Sequence, residues 1–316
     1  MRAFRLAAVL VISAVTAAVA SQPVAKVQLP CDSLYQMLSP TGKQAVVACK
    51  DHRSYLVSIP DGASRPLLPA EPRVSALVYS KDGQWLAAGF PDGTVRVMPG
   101  QGTAAARQWK AGPHRIDTLY LFPDGKKLFV APVDSPGTVW ELTETPTLLA
   151  TLPVAFGGMD AVAVSPDGEL LVAAGDDTVL RWYDTATWQK MREYNGFLLE
   201  TFVLTFTPDG KYLLAGGADS RITVLDPASG QQVRQLPPEA GSSVADIDFL
   251  GGPQRTLTLY FDNSGEKPPH ALFWDLATDK STPLKADSRP TCSGIVTGKL
   301  WLCNSDSRTL TILQQE

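Results

Sequence analysis

Residues 165–184, SPDGELLVAAGDDTVLRWYD, pass through a turn, an apolar run, a second turn and another apolar run, and the same order of segments recurs along the chain. Each unit opens on an alternating run such as DAVAVS, TFVLTF or ADIDFL. One residue in two then faces a core, the period of a half-buried strand. An Asp-Gly turn follows, where glycine supplies the left-handed backbone of a tight hairpin. Next comes a run that is apolar on both faces: WLAAGF, LFVAPV, LLVAAG, YLLAGG. Such a strand must be covered on both sides. A second turn containing Asp51, Asp92, Asp134, Asp177, Asp219, Asp262 or Asp306 leads into a third strand. Aspartate accepts local backbone hydrogen bonds in turns, which accounts for its recurrence without any chemistry. The more polar fourth segments, ARQWKA, QKMREY and QQVRQL, suit outer edge strands, where charge blocks unwanted pairing.

The first-turn glycines fall at Gly42, Gly83, Gly125, Gly168 and Gly210, with degenerate copies at Gly252 and Gly298; the spacings are 41, 42, 43, 42, 42 and 46. A fixed period near 42 with four short strands per unit predicts an all-β fold, a seven-bladed β-propeller. The expected blades are 30–70, 71–111, 112–153, 154–195, 196–238 and 239–287, and a last one of 288–316 plus 21–29 within a single propeller of residues 21–316. The last unit runs out of chain after three strands. The missing fourth is expected from VAKVQL at 24–29, pairing beside Thr309–Leu313 and closing the ring.

The first twenty residues stand apart from this pattern. MRAFR followed by LAAVLVISAVTAAVA reads as a signal peptide over 1–20, and Ala18 and Ala20 place cleavage before Ser21. The expectation is an exported chain, periplasmic or secreted, with no membrane span after leader removal. Loss of Arg2 and Arg5 leaves 26 basic against 32 acidic residues, so the chain carries no electrostatic footprint for nucleic acid. A monomer is expected.

SPDGELLVAAGDDTVLRWYDTAT and TPDGKYLLAGGADSRITVLDPASGQQVRQL resemble the units of WD-repeat propellers and of bacterial YVTN-type propellers. WD repeats typically link a Gly-His pair to a Trp-Asp pair through a polar network. Here the close Trp-Asp matches are Trp274-Asp275 and the spaced Trp182-Tyr183-Asp184, and His114 is the nearest approach to Gly-His. The resemblance implies a non-enzymatic protein-binding platform or scaffold. The alternative it leaves is a small-molecule-binding or metal-dependent enzyme similar to propeller lactonases or quinoprotein-like oxidoreductases.

The chain offers little to that alternative. It has no G-x-S-x-G, Walker, H-E-x-x-H or dinucleotide motif, and its histidines are His52, His114 and His270. No catalytic residue, metal site or cofactor is expected. The insertion FDNSGEKPPH at 261–270 holds oxygen ligands but lacks the order of a calcium loop, and reads as a solvated loop or a contact element. Four cysteines in an exported chain suggest disulfides. If Thr297 and Gly298 form a two-residue turn, Cys292 sits opposite Cys303, and Cys31 lies near Cys49 in the first unit. Cross-pairings between the first and last units remain open. Finally, VAFGGM at 154–159 and NGFLLE at 195–200 bring Phe156, Met159, Phe197, Leu198 and Leu199 to one end of the ring, as a partner-binding patch or as local packing. Arg73, Arg115 and Arg289 in equivalent loops suggest a polar rim.

Overall fold

The computed structural model describes residues 22–68, 73–102, 107–154, 156–250, 252–266, 269–284, 290–296, 299–306 and 308–315, with side chains for all of these except 22–24, 34–35, 290–306 and 313–315. The leader expected over 1–20 lies outside the described residues, as do Arg289, Thr297 and Gly298. The described strands pair into seven four-stranded antiparallel sheets. Six are built from four consecutive strands and are numbered here one to six: 33–66, 76–110, 116–152, 159–194, 201–235 and 242–283. The remaining sheet is composite. Its outermost strand, Gln22–Gln28, pairs with Thr309–Gln315, followed inward by Lys299–Asp306 and Pro290–Val296. Ala25 stands opposite Ile312 and Val27 opposite Leu310.

The first strands of neighbouring sheets pack side by side, from 76–79 through 116–121, 159–164, 201–206, 242–249 and 290–296 to 33–38. The apolar layers lie between sheets. Phe129, Met159, Leu171 and Tyr183 fill the space between sheets three and four, and Trp182, Phe206 and Leu213 that between four and five. Val27, Leu310 and Ile312 join Ala45, Val47 and Val57 of sheet one in another layer. The doubly apolar second strands follow directly: Leu171–Ala174 and Leu213–Ala215 are buried because each has a sheet on either side.

The turns explain the repeated sequence. In the first turn of sheet four the Ser165 hydroxyl donates to Asp167 (2.5 Å) and accepts from the Leu170 N–H (2.9 Å), while Asp167 accepts from the Glu169 N–H (3.0 Å). Ser80 with Asp82, and Thr207 with Asp209, repeat the arrangement. Gly168 follows at φ 79°, a conformation an L side chain resists. In the second turns Asp51, Asp92, Asp177, Asp219 and Asp262 accept backbone N–H groups two to four residues on. Asp134 differs, itself adopting a positive φ of 49°.

A further periodic element ties the sheets at their outer edge. Arg65, Arg107, Arg192 and Arg234, on the fourth strands of sheets one, two, four and five, each donate to a backbone carbonyl beyond the third strand of the next sheet: Gly102 (3.1 Å), Leu142 (2.7 Å), Pro227 (2.7 Å) and Leu276. Ala150 occupies the register position in sheet three and Thr282 in sheet six. The first unit is also stapled by a Cys31–Cys49 disulfide with Cα atoms 5.9 Å apart, which removes the cross-pairings with the last unit. Cys292 faces Cys303 in backbone register; their side chains lie outside those described.

Two stability tests follow from these ties. Replacing Arg192 or Arg234 by Met is expected to cost about 1.5–3 kcal/mol each in denaturant unfolding, the range for a charged hydrogen bond, whereas exposed Arg221→Met should stay within about 0.5 kcal/mol. Equal effects at all three positions would remove the carbonyl bonds as the cause. The Cys31→Ser/Cys49→Ser chain, freed of an 18-residue closure, should lose about 3 kcal/mol, measured against the oxidised parent.

Candidate functional site

In sheets one, three, four, five and six, a backbone bond joins the loop before the first strand to the second hairpin turn. The N–H groups of Lys50, Val133, Asp176, Ala218 and Asn263 donate to Asp32, Arg115, Gly158, Glu200 and Gly241. Both sets of loops therefore meet at one end of the ring.

At this end the five residues expected to form a partner-binding patch divide into two groups. Phe156, Leu198 and Leu199 are 63%, 80% and 50% exposed. Met159 and Phe197 are buried, and their assignment to a contact surface is corrected. Met159 opens the first strand of sheet four and packs with Phe129, Val139 and Leu152. Its sulfur lies 2.7 Å from where a Cβ on Gly137 would stand, so the pocket is full. Phe197 meets Tyr194 edge to face at 5.5 Å and joins the layer containing Trp182 and Leu204. These two side chains anchor the loops whose neighbours face solvent.

The first strands supply further groups through a bulge at their second residue. The register skips Asp117 between Ile116 and Thr118, Asp160 between Met159 and Ala161, and Phe202 between Thr201 and Val203. A bulged residue leaves the ladder and its side chain is re-aimed. Phe202 is 40% exposed as a result, although strict alternation in TFVLTF would group it with buried Leu204 and Phe206. The spacing of 117, 160 and 202 is the repeat period, which is the signal that could have found them.

Asp117, Asp134, Asp160 and Asp176 line a cavity of about 190 Å³ with Pro132, Val133, Gly158 and Met159. Asp176 accepts the Gly158 N–H at 2.9 Å. Gly157 turns through φ 65°, and a Cβ there would fall 2.1 Å from the Asp176 carboxylate, so this approach requires glycine. Burial pushes the Asp160 carboxyl up to about 6, and Asp176, Glu200 and Asp117 push in the same direction. Elsewhere at this end acids have basic partners in their own surroundings, Asp51 with Arg53, Asp92 with Lys110 and Asp32 with Arg308, and within the cavity wall Asp117 pairs with Arg115. Arg115 is thus committed to Asp117 and not to a free rim, and Arg73 is exposed. Among the described residues, no basic side chain forms an ion pair with Asp160, Asp176 or Glu200. No group of three His, Cys, Asp or Glu among them is placed to hold a metal ion.

In the insertion of sheet six, Asp262 accepts from Ser264 and the Glu266 N–H, and Asn263 bonds Ser243, so its oxygens serve the loop. The Trp-Asp pair of the same sheet has a polar network: Trp274 Nε1 donates to the Tyr260 hydroxyl at 3.2 Å, and His270 stacks on Tyr260 at 5.4 Å.

Asp160 yields a pH-dependent stability. Its folded value lies above the ordinary 3.8, so the folded chain holds the proton more tightly than the unfolded one. This contribution favours folding at low pH and is lost as pH rises from about 4 through about 6. Asp160→Asn is therefore expected to stabilise the chain by about 1 kcal/mol at neutral pH, after discounting for solvent screening, and by nothing below about pH 4. Thermal unfolding across that range checks it; a gain present equally at both ends would exclude proton linkage.

Comparison with known proteins gives the same architecture. The model of the WD domain, G-beta repeat, matches residues 68–97, 147–184 and 201–226. A curated relative, the target of rapamycin complex subunit wat1 of Schizosaccharomyces pombe, is 26% identical over 144 residues, covering 44% of this chain and 45% of the relative. The chain thus matches less than half the length of that relative. Among solved structures, a chain of a mitotic checkpoint complex superposes with a TM-score of 0.78 at 17% identity, over 99% of this chain and 98% of that one. The Cps50 (Swd1) β-propeller domain of Myceliophteria thermophila gives 0.74 at 14% identity, over 93% and 99%. The chain is an all-β propeller in which three stretches match the WD40 repeat.

Proposed function

We propose that the protein is a non-enzymatic binding platform, a closed ring of seven blades that receives a protein partner on the loop end of sheets three to five. The observation that carries this reading is the exposure of Phe156, Leu198, Leu199 and Phe202 on loops and strand starts whose neighbours Met159 and Phe197 are buried. Anchored loops that present several large apolar side chains leave area that only a second surface can cover. The matching relative is, by its name, a subunit of a protein complex, which supports the same reading.

The proposed setting is the periplasm or the extracellular space, reached through the leader at 1–20, with the mature chain a monomer that binds no nucleic acid. The Cys31–Cys49 disulfide suits an oxidising compartment, and a second bridge between Cys292 and Cys303 is proposed from their facing positions.

Two experiments test this. Chemical crosslinking in the producing cell, followed by purification, is expected to recover a partner with the parent and with Tyr212→Asp near the first-turn end, but not with Leu198→Asp/Leu199→Asp. Recovery by the loop variant equal to the parent removes this end from the reading. Expression with the leader intact should give an exported chain whose N-terminal sequencing begins at Ser21; a cytoplasmic chain retaining Met1 overturns export.

A further inference from the structure

The exposed apolar residues share their end of the ring with uncompensated acid. Phe156 and Gly158 belong to the loop that leads to Asp160 and bonds Asp176; Leu198 and Leu199 precede Glu200, and Phe202 is two residues further on. Bulges place Asp160 and Phe202 at equivalent positions of adjacent first strands. The groups facing Asp160 are Asp176 from the second turn of sheet four, Glu200 from the loop before sheet five, and Asp117 with its partner Arg115 from sheet three; Asp134 completes the cavity wall. Asp51, Asp92 and Asp32 elsewhere at this end have cations of their own, and Asp117 has Arg115; among the described residues no basic side chain pairs with Asp160, Asp176 or Glu200. A surface laid over it would strip water from carboxylates, a cost that falls at neutral pH when the surface brings its own cations.

We infer that the partner docks through a segment in which Lys or Arg side chains accompany apolar ones, with the cations against Asp160, Asp176 and Glu200 and the apolar side chains on Phe156, Leu198, Leu199 and Phe202. This rests on the reading of the loop end as the docking surface and adds the chemistry of what docks there. The charge distribution sets the occupant: an acidic or purely apolar segment would leave the carboxylates without a counter-ion, and a second copy of this end would bring like charges together. Because Asp160 holds a proton in slightly acidic solution, an arriving cation competes with that proton, and docking should tighten as pH rises from about 5 to about 7.5.

The test uses the full chain and three labelled synthetic peptides of one length: Lys with Leu, Glu with Leu, and Lys with Gly. Fluorescence anisotropy near neutral pH is expected to show the Lys-Leu peptide binding about tenfold or more tighter than either of the others, weakening with salt and at about pH 5. Asp160→Asn/Asp176→Asn should reduce its affinity about tenfold, and Leu198→Ser/Leu199→Ser by at least as much. Circular dichroism and unfolding of both variants verify that they fold, and Glu200→Gln provides a second charge variant outside the cavity wall. Equal binding of the Glu-Leu peptide, no binding of any peptide, or unchanged affinity in both charge variants overturns the inference. If the charge variants lose nothing while the leucine variant loses binding, the platform reading stands without it; if the leucine variant binds like the parent, the platform reading itself fails.

Discussion

A small sheet that is apolar on both faces cannot be buried by itself, and this constraint governs the whole molecule. Leu171–Ala174 of sheet four needs sheet three on one side and sheet five on the other, and the same holds for each neighbour in turn. The pairing of Gln22–Gln28 with Thr309–Gln315 answers the constraint at the chain ends, since Val27 and Leu310 fill a layer against sheet one. Polar ties act on top of these layers. The arginines at 65, 107, 192 and 234 reach across the outer edges and bond carbonyls just beyond the third strand of the next sheet.

Much of this was legible in the sequence because it depends on local chemistry repeated at a fixed interval. The glycine first turns, the doubly apolar second strands and the aspartates of the second turns mean the same thing in most units, Asp134 with its own positive φ and the degenerate turns at Gly252 and Gly298 being the departures. The arginine ties obey the same interval, at 65 and 107 and again at 192 and 234, but their acceptors are main-chain carbonyls in another unit. A polar residue in an edge strand looks like simple solvation unless its cross-sheet acceptor is known.

The candidate site was less legible, for two physical reasons. Loop position alone does not tell which apolar side chain turns inward: Phe197 and Leu198 are adjacent, yet one packs on Tyr194 and the other faces water. Strict alternation also fails where the ladder gains a residue. The bulges at Asp117, Asp160 and Phe202 reverse the expected facing of those positions, and nothing in the types of residue around them announces the change.

The bulge also uncouples two demands on the chain. Because the ladder resumes at the next residue, the side chain at each bulged position contributes little to the apolar layers behind it, and aspartate, aspartate and phenylalanine occur there in three consecutive sheets of unchanged geometry. The mouth of the ring is therefore a set of exchangeable sockets on a fixed frame. One scaffold of this kind can change what it recognises, sector by sector, without having to learn to fold again.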